Sequence, residues 1–167
     1  MRAAYILIFL GVVFTIAALT MPGSADELAT PQYASVSDGQ AIPPISRIKA
    51  GDINCRGCDL SGADLSHQCV KNGDLTGAKF DGVKALYMCM SYANFTNVSF
   101  RGADLTGANL AHANVTNADM TGTKLDITSI KGTDLSTVRG LTQEQIDEAC
   151  ADAQTRLPAG LTAKFCS

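Results

Sequence analysis

The residues of this chain best suited to chemistry are six cysteines, at 55, 58, 69, 89, 150 and 166, and two histidines, at 67 and 112. Cys55-Arg56-Gly57-Cys58 is the one reaction-capable spacing. Thiol–disulfide exchange through a C-x-x-C works best where the pair opens a helix after a strand, so that one thiolate is stabilised. The same four residues are expected to carry a structural disulfide instead, with redox activity and two free thiols as the alternatives. Zinc requires four ligands at suitable spacing. A second such pair is missing, and both histidines are distant in sequence, so neither metal nor cofactor is expected. No Ser–His–Asp or paired-carboxylate arrangement stands out, and no catalytic residue is expected.

What these side chains do depends on the elements that hold them. Arg2, the apolar run from Ala3 to Leu19 and the small residues of Met21-Pro22-Gly23-Ser24-Ala25 read as a secretory signal over 1–25, with Gly23 and Ala25 at −3 and −1 of a cut. An uncleaved N-terminal membrane anchor is the alternative, since the run nearly reaches bilayer length. Export, to a periplasm or beyond the cell, places the six cysteines where disulfides persist. Without residues 1–25 the chain keeps 12 basic against 16 acidic residues, a net charge of −4. That balance excludes the basic footprint of a nucleic-acid binder.

From Cys58 the chain divides into sixteen uninterrupted blocks of five. Their third residues run Leu60, Leu65, Val70, Leu75, Phe80, Ala85, Met90, Phe95, Phe100, Leu105, Leu110, Val115, Met120, Leu125, Ile130 and Leu135. All but Ala85 are large and apolar. The first residue is mostly small, with Ala in seven of the sixteen blocks; the second is usually Asp, Asn or Lys, the fourth often Ser or Thr, and the fifth often Gly. A period of five fits neither a strand nor a helix. It fits a chain that turns a corner every five residues and points one large and one small side chain inward per side, in coils that need their neighbours to form a core. Val83 and Met88 stand at the small position, beside Ala85 at the large one, a swap that conserves core volume.

This pattern resembles the pentapeptide-repeat family, A-(D/N)-L-x-x, over residues 58–137. The resemblance implies an all-β solenoid, a right-handed quadrilateral β-helix of about four 20-residue coils stacked at roughly 4.8 Å. Some members of the family are cytoplasmic DNA mimics that act on gyrase; the signal segment and mild charge speak against that role here. Residues 20 apart then become stacked neighbours. Gly62, Gly82, Gly102 and Gly122 share a corner column, and Asp64, Lys84, Asp104 and Lys124 share a column of alternating charge. Cys69 and Cys89 fall about 5 Å apart, within disulfide reach.

Both ends of such a stack need covering. At the C-terminal end, Thr142 and Gln145 form a capping box and Leu141 and Ile146 a hydrophobic staple, predicting a short capping helix with Ile146, Ala149, Cys150 and Ala153 on one face. Pro158 and Gly160 turn the chain back, which pairs Cys150 with Cys166. The chain thus reads as signal 1–25, linker 26–44, N-terminal cap 45–57, solenoid 58–137, and helical cap and tail 138–167. In the N-terminal cap, Ile48/Ala50 and Ile53/Cys55 keep the block register.

Outward-facing His67, Leu86, Tyr87, Tyr92 and His112 cluster on two adjoining sides of the stack and form a candidate interaction patch. The expected function is non-enzymatic: an exported scaffold offering its surface to a protein or envelope partner, without nucleic acid, and with membrane only through an uncleaved N-terminus. The competing readings are a redox protein acting through Cys55 and Cys58, and surface or ice binding by the hydroxyl column Thr76, Thr96, Thr116 and Ser136.

Overall fold

The computed structural model describes residues 44–49 and 54–166. The signal reading of 1–25 and all of the linker except Pro44 lie outside them. The described chain contains two short helices, α1 (Pro44–Lys49) and α2 (Gln143–Glu148), and between them a β-solenoid of single-residue parallel rungs. Asn54 pairs with Asp74, Asp59 with Lys79, Asp64 with Lys84 and Cys69 with Cys89, and the 20-residue step then continues to Asp119–Arg139.

The first block shows where the backbone N–H groups of a repeat go. In the block 58–62, Leu60 N donates to Lys79 O and Gly62 N to Asp81 O in the next coil. The second residue of the block below reaches back, Lys79 N to Cys58 O. Ala63 N closes the corner onto Leu60 O at 3.0 Å. The remaining donor, Ser61 N, goes to the Asp59 carboxylate at 3.1 Å. The same side-chain turn recurs at Thr76 onto Asp74, Thr96 onto Asn94 and Thr116 onto Asn114. Asp or Asn at the second position is therefore structural: it satisfies a donor that the stack leaves over.

Inside, the third residues of the blocks are buried without exception from Leu60 to Leu135. Phe80, Phe95 and Phe100 form a three-ring cluster with centroids 5.2–5.8 Å apart. Val83, Ala85, Met88 and Met90 are all buried. In three of the four blocks of the last coil the small position is threonine, and the Thr123, Thr128 and Thr133 hydroxyls donate to Phe100 O, Leu105 O and Leu110 O at 2.6–2.8 Å. A buried hydroxyl is tolerated because it finds a carbonyl.

The ends depart from the block register. Ile48 is helical and buried in the core, not a rung residue. Pro44 opens this helix, where its fixed φ helps and its missing N–H costs nothing. α2 has its capping box, with Thr142 N donating to Gln145 Oε1 at 2.7 Å, and Ile146 is buried. The face foreseen through Cys150 and Ala153 stops short, however, because α2 ends at Glu148 and Ala153 is exposed. Cys150 instead extends the stack: its N–H donates to Thr128 O and its carbonyl accepts from Ile130 N. Those open rung groups at 128–130 need partners more than the helix needs another turn. Among the described residues no helix is long and apolar enough to cross a membrane.

Candidate interaction face

Corner geometry decides which side chains are displayed. Every fifth residue from Gly57 to Gly132 has positive φ, as the third residue of a type II turn requires. Glycine adopts this freely, and asparagine does so often. The corner columns differ sharply. One is all glycine (62, 82, 102, 122), and another is Gly57, Gly77, Asn97 and Asn117. The two remaining columns hold His67 (φ 62), Tyr87 (φ 53) and Ile127 (φ 49), and Tyr92 (φ 60) and His112 (φ 57). Each such residue carries roughly 1–2 kcal/mol of backbone strain, and Ile127, being β-branched, is the least suited of all.

The rings in these two columns are ordered by stacking. His67 lies on Tyr87, with centroids 5.6 Å apart and planes 11° apart. Tyr92 lies on His112 at 5.0 Å and 19°. Tyr87 also covers Gly107, and His112 covers Gly132: a Cβ at either glycine would overlap the ring. Lys71 Nζ sits 5.8 Å above the Tyr92 ring, within cation–π range. Tyr87 and Tyr92 nevertheless remain 57% and 56% exposed. Leu86, read from sequence as outward, is half-buried and contributes little surface.

Between the two columns runs one side of the solenoid, residues 68–72, 88–92, 108–112 and 128–132. Cys69 and Cys89 are rung partners on it and are joined by a disulfide, with Cα atoms 4.4 Å apart. Cys150 is disulfide-bonded to Cys166, and Cys55 to Cys58. The C-x-x-C opens no helix. It frames the first corner at Gly57, with Cys55 buried and Cys58 N donating to Cys55 O. That setting lacks the helix N-terminus that would stabilise a thiolate.

Elsewhere the surface is self-satisfied. The hydroxyls of Thr76, Thr96, Thr116 and Ser136 turn sideways and donate to Asp74, Asn94, Asn114 and Asp134 at 2.6–2.7 Å. They are committed within their own blocks, which weakens them as a binding array for a surface or ice. These hydrogen bonds, and the matching ones from Thr121 to Asp119, hold the Asp74, Asp119 and Asp134 carboxyls below the ordinary aspartate value: first the neighbouring hydroxyl, then its backbone N–H. Arg56–Asp74, Arg101–Asp119 and Lys124–Asp104 ion pairs, at 2.7–3.4 Å, link successive coils, and such exposed pairs contribute roughly 0–1 kcal/mol each. No group of three His, Cys, Asp or Glu side chains converges as a metal site would among the described residues. Sequence reasoning missed the strain at the displayed corners; its signal was the row of non-Gly, non-Asn residues at the fifth position.

Comparison with known proteins agrees with the repeat. A family model described as pentapeptide repeats matches residues 58–97 and 89–126. No curated protein matches the chain. Among solved structures it is similar to a pentapeptide repeat protein from the Arabidopsis thaliana thylakoid lumen (25% identity, TM-score 0.25, covering 66% of this chain and 62% of that one). It is also similar to one from the cyanobacterium Cyanothece 51142 (19% identity, TM-score 0.35, covering 68% and 97%). A third, from Nostoc Pcc 7120, has 24% identity and a TM-score of 0.26, covering 71% and 85%. The chain spans less than two thirds of the Arabidopsis protein's length.

Proposed function

The chain is a pentapeptide-repeat protein folded as a right-handed quadrilateral β-helix, and from that premise we propose that it is a non-enzymatic, exported interaction protein. Its scaffold is about four 20-residue coils spanning 58–137, with α2 as a C-terminal cap and residues 45–57 closing the other end. Export of a chain with a signal at 1–25 and a tether at 26–44 is consistent with six cysteines held in three disulfides.

One observation carries the reading. Four ring side chains, His67, Tyr87, Tyr92 and His112, occupy strained left-handed corners, stack in two adjoining columns and stay exposed. Glycine would relieve that strain, so the rings are retained against a stability cost, as at sites shaped by binding. Tyrosine displayed on a rigid support is a common anchor of protein interfaces.

The test is photo-crosslinking in intact cells from a probe at position 111, between the columns, against one at position 101 on another side. A discrete protein adduct from 111, lost in Tyr92→Gly, supports the proposal. Equal adducts from both positions, or adducts indifferent to Tyr92→Gly, refute it.

A further inference from the structure

The strained corners do not flank the solenoid evenly. Every left-handed corner that is neither Gly nor Asn, at 67, 87, 92, 112 and 127, borders the same side of the stack. That side differs from the rest in charge. Residues 68–72, 88–92, 108–112 and 128–132 contain no Asp or Glu, in a chain of net charge −3. The other sides each carry carboxylates, among them Asp59 and Asp119, Asp64 and Asp104, and Asp74 and Asp134.

Its cations are also uncommitted. Elsewhere Arg56, Lys79, Arg101, Lys124, Arg156 and Lys164 are in ion pairs, while Lys49 and Lys84, and Arg139, make no close pair among the described residues but stand near enough to Asp64 and Asp119 respectively to be attracted by them. Lys71 and Lys131, on this side, have no carboxylate partner among the described residues; Lys71 leans only on the Tyr92 ring. The Tyr87 and Tyr92 hydroxyls and the His67 and His112 rings make no hydrogen bond within the described chain either. The rungs Cys69–Cys89, Cys89–Asn109 and Asn109–Ser129 take most backbone groups of this side; only Asn109 supplies an acceptor to a fourth-residue N–H, at Ala111, so recognition rests mainly on side chains, with the Lys71, Ser91 and Lys131 N–H groups as further donors. What it displays is a strip of hydrogen-bond donors and ring edges with no matching anion.

We propose that this strip binds an extended, acidic, aromatic-bearing peptide segment of a partner protein. The inference rests on the interaction-face reading above and adds the chemistry of the partner. Lys71 and Lys131 are three coils apart, about 14 Å along the stack at the usual inter-strand spacing. An extended peptide covers that in about four residues, so carboxylates at i and i+4 meet both lysines while the residues between lie on the tyrosine and histidine rings. Opposite charge steers the encounter, and the rings supply desolvated contact. Two lysines on a strip one block wide are too few for an anionic membrane, which calls for clusters of about four or more.

The test pans a random peptide library of about twelve residues on the immobilised full chain, then titrates the synthesised winners. Expected are acidic winners with carboxylates about four apart. Their affinity should fall about tenfold or more in Lys71→Glu/Lys131→Glu, which removes no ion pair within the fold, and should weaken as salt rises. Neutral or basic winners, no winners, or winners indifferent to the lysine reversal overturn it, as does binding of phosphatidylglycerol vesicles in place of peptides. Winners that are lost in Tyr92→Gly but unaffected by the lysine reversal overturn the acidic partner and leave the interaction face standing. Winners indifferent to both variants remove the face as well.

Discussion

If the Tyr87 ring is held against the corner below it, alanine at Gly107 must cost more than alanine at a corner with the same backbone and an open surface. Gly122 is that control: its φ is +67° against +69° at Gly107, and a Cβ there meets only Gly102 N, at 4.0 Å. Putting an L-residue in this conformation costs roughly 1–2 kcal/mol. The lower entropy of the unfolded chain returns about 0.5–1. Gly122→Ala should therefore destabilise by about 1 kcal/mol. At Gly107 the new methyl overlaps the Tyr87 ring, which must swing out and leave His67. A stacked aromatic pair contributes about 0.5–1.5 kcal/mol, so Gly107→Ala should cost about 2. The excess corresponds to about 4 °C in melting temperature for a unit of this size. Far-UV circular dichroism gives the unfolding curves, and tyrosine emission, in a chain with no tryptophan, reports the ring. In a Tyr87→Gly background the two alanine variants should become equivalent. Equal destabilisation by Gly107→Ala and Gly122→Ala in the native background would refute the ordered column, and with it the argument that the rings are pre-positioned for a partner.

Two further outcomes follow from the same geometry. Cys69→Ser removes a bridge that closes a 20-residue loop, one full coil, and should cost about 3 kcal/mol by loop-closure entropy. Thermal unfolding with and without reductant checks this, and peptide mapping that joins Cys69 to any cysteine other than Cys89 would sink the coil register. The acid limb is the second. Asp74, Asp119 and Asp134 have folded pKa values below their ordinary 3.8, so the unfolded chain takes up protons first. Their contribution is complete above the unfolded value and is lost as pH falls through the depressed folded values. The melting temperature should hold level from neutral pH to about 5 and drop below about 4. Asp119→Asn keeps the acceptor for Thr121 without the titrating proton, and should make that drop shallower; an unchanged slope would show that this carboxyl does not contribute.

How much of this was legible in the sequence varies by level. The period of five, the large and small inward positions and the capping box at Thr142 and Gln145 are local patterns, and local patterns survive into the fold because each block repeats one backbone solution. Proximity at a step of 20, as for Cys69 and Cys89, followed once the coil length was supplied. Two things were not legible. The role of Asp and Asn at the second position required the count of backbone donors, since only after the rungs and corner take four N–H groups does the fourth residue's N–H appear as the one in need. The end of α2 at Glu148 depended on open rung groups at 128–130, which lie some twenty residues away in sequence.

The primary sequence by itself determined the repeat, the core and the inventory of displayed rings, because a repeating inward pattern leaves a solenoid as its one way to bury itself. Only the tertiary structure decided that the ring-bearing corners bordering this side are left-handed and strained, and that Lys71 and Lys131 find no carboxylate there among the described residues. Backbone dihedrals and side-chain pairing are set by how the coils pack, which the residue pattern does not encode.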